Sequence, residues 1–399
     1  MKKVLILIHD MQIGGAQKSL TSFCRCLADS TAGRNYEVHL MPISPKGEFL
    51  SQIPGQVQII EPPAELRWLG SPFSGKLLKK HFSLRAVWGQ ALWMLRKMLK
   101  LFPAKLNLQQ ALWTCWKPFV PNLQESYDIA VSYMDGVPNY FVMDKVQAKK
   151  KVLWIHSEYQ KQGYCADYDR LYFEKCHKII TISDNCRNCI LKAFPHLGDK
   201  THILENITSG EDVVGKSLAY NPEEFCNTQG LKLLSVGRLN PQKGFDIAIE
   251  AARLLRDGGL SFRWLVLGEG AERQSLQEAI VRYDLGSHFR LVGARENPYV
   301  YMRQCDILVQ PSRVEGKSIV LDEAKILCKP IVATNYTTVK DSIDHGHTGW
   351  VVDMTPEGIA AGIRLLWEKP ELREQLCEQL AALPKGNQKE LQKYIEIMF

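Results

Sequence analysis

The chain has 399 residues, 45% of them hydrophobic and 23% charged, and carries a formal net charge of +7. That length accommodates two ordinary domains, each with a sizeable core, and the composition excludes disordered and fibrous classes. No stretch approaches the roughly eighteen consecutive apolar residues of a membrane span, and eleven scattered cysteines, an odd number, argue for reduced thiols rather than a disulfide framework.

Residues 4–8 (VLILI) are too short an apolar run for a signal peptide and read as a buried parallel strand. A cytoplasmic protein is the expectation. A loop over 9–15 precedes a helical pattern over 16–27, and Gly14 and Gly15 let the backbone approach a ligand at that helix start. The loop lacks G-x-G-x-x-G, which argues against a nicotinamide site. Strands follow at 37–41 and 57–60.

The next stretch is unusual. Residues 1–124 hold sixteen Lys/Arg against six Asp/Glu, and none of 66–124 is acidic. Trp68, Trp88, Trp93, Trp113 and Trp116 are interleaved with Arg67, Lys76, Lys79, Lys80, Arg85, Arg96, Lys97, Lys100, Lys105 and Lys117. Over 86–101 the apolar residues recur at helical spacing, with cations gathered toward one end. A basic amphipathic helix carrying Trp suits an anionic bilayer surface, where each cation contributes about 1 kcal/mol. Core tryptophans beneath a solvated basic face are the other reading, and both stand. Nucleic acid is not expected, because no recognised binding module surrounds the cations.

Strands at 128–132 and 152–155 lead to His156, placed where doubly wound sheets bind ligands; a histidine satisfied in the interior is the plainer alternative. Asp167-x-Asp169 reads as part of a polar helical surface. A strand over 178–183 opens into a helix whose Cys186 and Cys189 have no second ligand pair, so no zinc is expected. After a strand at 202–206, residues 210–230 are irregular and rich in Gly and Pro. They read as a linker between a first domain, 1–209 with a basic insertion at 62–125, and a second, 231–385.

The second domain opens with a strand at 231–236, the loop GRLNPQKGFD and a helix over 246–257. Arg238 and Lys243 set two cations at the strand end, one a fork and one a point charge, each worth about 1.5–3 kcal/mol toward a phosphate. Strands at 262–267 and 289–293 follow, the second leading to Arg295. Then come a strand at 306–309, a loop holding Glu315, a helix over 318–327 holding Glu323, and a strand at 331–333. The N–H groups of Gly316, Lys317, Ser318 and Ile319 at that helix start carry about half a positive charge, which makes an anion site flanked by carboxylates. Alone, two glutamates at this spacing also read as solvated side chains. Residues 355–367 read as a helix and 388–398 as a final helix.

The stretch 309–335, with its PS, EG, DEA and PIVATN segments, resembles the E-x7-E signature of retaining glycosyltransferases of family 4, among the glycosyl transferases of group 1. Residues 237–244 resemble the same family's G-R-L…K-G motif, Gly14-Gly15-Ala16-Gln17 its glycine turn, and 344–352 (DHGHTGWVV) its late hairpin-like segment. The likeness extends over nearly all of the chain outside 62–125. It implies an α/β protein of GT-B fold, two Rossmann-like doubly wound domains facing across a cleft, with 386–399 returning as a helix to the first. It implies hexosyl transfer, with retention, from a nucleotide-sugar such as a UDP-sugar to a glycan in cell-surface polysaccharide synthesis. The basic insertion points to a lipid-linked acceptor and a peripheral position on the inner face of the membrane.

In that resemblance Arg238, Lys243 and the N–H groups of 316–319 hold the diphosphate. Glu315 orients the sugar, Glu323 holds the ribose, His156 positions the donor sugar, and Arg295 lies where the nucleobase is met. Gly14 and Gly15 approach the donor, and no metal or other cofactor is expected. Lys317-Ser318 stands where many relatives have a bulky apolar residue and Gly, so the sugar is left open. A nucleotide-sugar epimerase of the same shape and a non-catalytic membrane- or glycan-binding protein are the alternatives; an epimerase would convert donor with no acceptor present.

Overall fold

The computed structural model describes residues 1–70, 83–99, 105–226 and 228–399, so Lys76, Lys79, Lys80 and Lys100 lie outside the described residues. The chain divides into two compact units, one of residues 1–207 with 389–399 and one of residues 208–388.

In the first unit seven parallel strands form one sheet: β1 (Lys2–Ile8), β2 (Tyr36–Pro42), β3 (Val57–Ile59), β4 (Ser126–Ser132), β5 (Gln147–Ile155), β6 (Lys178–Thr181) and β7 (Thr201–Ile203). Their order is β3-β2-β1-β4-β5-β6-β7, which reverses between β1 and β4. Both faces are covered, so Val4, Leu5, Ile6, Leu7 and Ile8 are all fully buried and the strand reads as a continuous apolar run. The final helix, Glu390–Met398, belongs to this unit. Its Tyr394 ring lies 5.0 Å from Phe23 and 5.3 Å from Trp154, and its hydroxyl donates to the Glu205 carbonyl at 2.8 Å.

The tryptophan-rich stretch forms helices Ala64–Gly70, Leu84–Met98 and Leu108–Trp116. Ser83 caps the second, accepting from the Ala86 N–H at 3.3 Å, and its hydroxyl donates to Glu65 at 2.5 Å. Trp68, Trp93, Trp113 and Trp116 are buried, whereas Trp88 is exposed. Four of the five tryptophans are therefore core. Asp169 corrects the expectation of a polar surface. It is 2% exposed and accepts from Tyr140 at 2.7 Å, Tyr159 at 2.7 Å and Gln110 at 2.9 Å. Three buried donors supply what water would have given, which is how a carboxylate is tolerated in an interior.

In the second unit six parallel strands, β8 (Leu231–Val236), β9 (Phe262–Leu267), β10 (Phe289–Gly293), β11 (Ile307–Gln310), β12 (Ile331–Thr334) and β13 (Trp350–Val352), run in the order β10-β9-β8-β11-β12-β13. Two expectations change here. The stretch read as a linker carries a helix, Gly210–Ser217, capped by Ser209, and its Val213 is buried in one core with Phe225, Val300 and Ala324. Gly210, Val213 and Ser217 face inward while Glu211 and Val214 stay exposed, so the packed face holds a single large apolar residue, which a Gly-containing polar composition conceals. The hairpin-like segment is instead a turn followed by β13, which pairs with β12 in parallel. Residues 335–349 are long enough to carry the chain back to the start of the sheet, and the Thr348 hydroxyl accepts from the Asp344 N–H at 2.8 Å to hold the turn.

Candidate functional site

In the second unit the strand order reverses between β8 and β11, which are hydrogen-bonded neighbours. The loops leaving their carboxyl ends, 237–244 and 311–318, therefore lie side by side, where open α/β sheets hold ligands. Gly244 fits them together: its φ is +65°, and a Cβ there would lie 2.1 Å from the Pro311 carbonyl oxygen. Arg313 ties the same loops, its N–H donating to the Gln242 carbonyl at 2.7 Å and its guanidinium pairing with Asp246 at 2.6 Å.

Across this junction the Lys243 Nζ donates to Glu315 Oε1 at 2.5 Å. The same oxygen accepts from Ser312 Oγ at 2.6 Å and Gln310 Nε2 at 3.0 Å, and Thr338 donates to the Glu315 carbonyl at 2.8 Å. With 11% of its side chain exposed, Glu315 is a preorganised acceptor rather than a solvated one. Arg238 is exposed on the 237–244 loop. The helix Ile319–Ile326 begins one residue later than its sequence suggests. Ser318 is its N-cap, but the hydroxyl donates to Gln310 Oε1 at 2.8 Å instead of capping the helix. Gly316 and Lys317 are in the loop before it.

Glu323, 1% exposed, lies on that helix and accepts from the Tyr299 hydroxyl at 3.2 Å. Arg295 pairs with Glu224 at 3.1 Å and donates to the Tyr301 hydroxyl at 3.1 Å. Those hydrogen bonds raise its pKa. The structure thus gathers Arg238, Lys243, Glu315, Gly316, Lys317 and Ser318 on two adjoining loops, with Ile319 opening the helix that follows. It places Glu323 one helix turn deeper and engages Arg295 with its own partners. Gln310, Ser312, Arg313 and Thr338, which fix this geometry, were not singled out from the sequence: Gln310 and Ser312 reach Glu315 from the same strand and loop, whereas only the tertiary fold brings Thr338 to Glu315 and Arg313 to the 237–244 loop.

In the first unit the order reverses between β1 and β4, and loops after β1, β4 and β5 adjoin. Gly14, the residue before helix Gly15–Asp29, has φ −171°, extended backbone open to any residue. The glycine pair is therefore not demanded by backbone conformation. Burial raises the Asp10 pKa, but hydrogen bonding from His9, the Gln12 N–H and Gln17 outweighs it and holds the carboxyl below its ordinary range.

His156 stacks on Trp154, with ring centroids 5.6 Å apart and planes 8° apart. Burial lowers its pKa to about 4, opposed only in part by a hydrogen bond to the Tyr133 backbone. Its Nε2 has no hydrogen-bond partner among the described residues. Beside it, Ser157 donates to Asp135 at 2.9 Å, and burial raises the Asp135 pKa. Asp10 and Asp135 were not singled out from the sequence; their place two and three residues past a strand end was the available signal.

The family profile described as glycosyl transferases group 1 matches residues 220–381, which contain both loops of the second unit's junction. The alpha-D-kanosaminyltransferase of Streptomyces kanamyceticus is 33% identical over 264 residues, 61% of this chain and 68% of that protein. The amylovoran biosynthesis glycosyltransferase AmsK of Erwinia amylovora is 33% identical over 143 residues, and the chain spans about a third of its length, 34%. In fold, the chain is similar to the crystal structure of Anabaena HepE in complex with UDP and glucose, with a TM-score of 0.69 at 15% identity over 99% of this chain and 98% of that one. Two parallel doubly wound sheets and these neighbours give a GT-B fold, and with the kanosaminyltransferase matched over two thirds of its length, the chain belongs to the glycosyl transferases of group 1.

Proposed function

We propose that the protein transfers a sugar from a nucleoside diphosphate donor to a saccharide acceptor in polysaccharide synthesis, with retention at the anomeric carbon. The observation that carries this reading is the Lys243–Glu315 contact across the β8/β11 junction, with Arg238 on the same loop as Lys243. A diphosphate arriving there meets a fork, a point charge and backbone N–H groups, all of which stabilise charge growing on a leaving phosphate. Glu315 then offers its carboxylate to sugar hydroxyls, and Glu323 faces a ribose. His156, neutral and with Nε2 unengaged, is the group the first unit would offer to a sugar hydroxyl. Cations and amides supply the counter-charge, so the reading requires no metal. The relative named for amylovoran biosynthesis and the complex of a similar fold with UDP and glucose support it. The acceptor is proposed to be lipid-linked, met by a protein resting peripherally on a membrane.

The experiment is a thermal-unfolding screen against UDP-, GDP- and ADP-sugars, since a ligand at about 100 times its Kd adds about 2.7 kcal/mol of stability. One nucleotide series should raise the Tm, and Arg238→Ala with Lys243→Ala should abolish the rise. Failure of every donor to shift the wild type overturns the reading.

A further inference from the structure

Helix Leu84–Met98 is apolar on two opposite faces. Ala86, Gly89, Gln90 and Trp93 are buried, and Gly89 sits against Trp116 so closely that a Cβ would lie 3.0 Å from the indole. The opposite face carries Leu84 (67% exposed), Val87, Trp88 (66%), Met94, Leu95 and Met98 (73%). At about 100° per residue these positions form one stripe roughly 120° wide. Single exposed apolar residues are ordinary; a contiguous stripe of six is not. Arg85 and Lys97 are exposed on the same helix, each about 60° beyond an edge of the stripe, and enter no ion pair among the described residues. No acidic residue occurs between 66 and 124.

We propose that this face lies in the surface of an anionic phospholipid leaflet, its apolar side chains at the acyl boundary and Arg85 and Lys97 at the phosphates. The helix is about 22 Å long, too short to cross a hydrocarbon core of about 30 Å, so it lies flat. The charge pattern selects this occupant over a second copy of the chain, because pairing this face with itself would bring together two basic stretches, 66–124, with no acidic residue between them. The inference deepens the proposal of a membrane-borne acceptor and rests on it. It also changes the driving force: apolar burial holds the protein, and the cations choose the leaflet.

The test is co-sedimentation of the full chain with vesicles of phosphatidylglycerol and phosphatidylethanolamine, and with neutral phosphatidylcholine vesicles. Binding should favour the anionic vesicles and persist from about 0.1 M to about 0.5 M salt, where simple charge adsorption is screened. Trp88→Glu with Leu95→Glu should weaken it about tenfold or more, and Arg85→Glu with Lys97→Glu should erase the anionic preference while leaving salt-resistant binding. Equal sedimentation of wild type and W88E/L95E, or loss of all binding at high salt, overturns the proposal. So does a wild-type dimer that W88E/L95E converts to monomer in light scattering. Nucleotide-sugar stabilisation of W88E/L95E, unchanged from wild type, shows the variant folded and keeps a failure on vesicles distinct from a failure of the donor site.

Discussion

Lys243 and Glu315, 72 positions apart in the chain, meet at 2.5 Å because β8 and β11 are neighbours in the sheet. The contact holds a cation in place before any phosphate arrives, and it holds a carboxylate in place for a sugar.

Removing either partner therefore has a direction. Lys243→Ala should raise the donor Kd by about 10- to 150-fold, the equivalent of one charge-assisted hydrogen bond of about 1.5–3 kcal/mol. Glu315→Gln keeps the shape but not the charge, and should lower kcat more than donor affinity. Calorimetric titration alongside steady-state kinetics checks both, and equal affinity in wild type and K243A would sink the assignment of Lys243 to the diphosphate.

His156 sets a pH dependence. Its pKa falls from 6.5 to about 4 on folding, so between these values the unfolded chain binds a proton that the folded one refuses. Unfolding then takes up protons, and stability falls as pH drops from about 6.5 to about 4. His156→Phe should flatten that part of the Tm–pH curve relative to wild type. In the wild type, turnover should show no His156 inflection between about pH 6 and 9, because the imidazole stays neutral there.

Asp169 and Asp167 should part company. Asp169→Ala strands two tyrosine hydroxyls and a glutamine amide in the interior, with an expected loss of about 3 kcal/mol or more. Asp167, 78% exposed at the side chain, should cost under about 0.5 kcal/mol when changed to Ala. Urea unfolding separates the two, and equal effects would show that the Asp169 network adds nothing.

The closing helix is the fourth case. Tyr394→Ala removes a fully buried ring packed on Phe23 and Trp154 and breaks the hydroxyl's bond to Glu205. A loss of about 3–5 kcal/mol is expected in the first unit, with donor binding by the second unit unchanged. Scanning calorimetry with and without nucleotide-sugar checks this.

Bound divalent metal should be dispensable. Excess EDTA is expected to leave the transfer rate within about twofold, since Arg238, Lys243 and helix-start amides supply the counter-charge. A rate that collapses and returns with Mg²⁺ would remove the metal-independent account.

The sequence by itself determined the alternation of strands and helices. Parallel strands covered on both faces read as continuous apolar runs, as in residues 4–8 and 307–309, and the turn chemistry between them punctuates the chain. It also determined the residue types at the second unit's junction, because Arg238, Lys243, Glu315 and Glu323 sit within short motifs of fixed spacing. Only the tertiary structure decided which of these groups touch, since strand order is not local. It took Asp169 from an expected surface into a tyrosine cage, gave residues 210–217 a helical place in a core, and ran β13 parallel rather than as a hairpin. It buried four tryptophans of the basic stretch and left Trp88 outside on an apolar stripe. Helical periodicity reveals that a face is apolar; which of two apolar faces meets the protein is fixed by what else packs there.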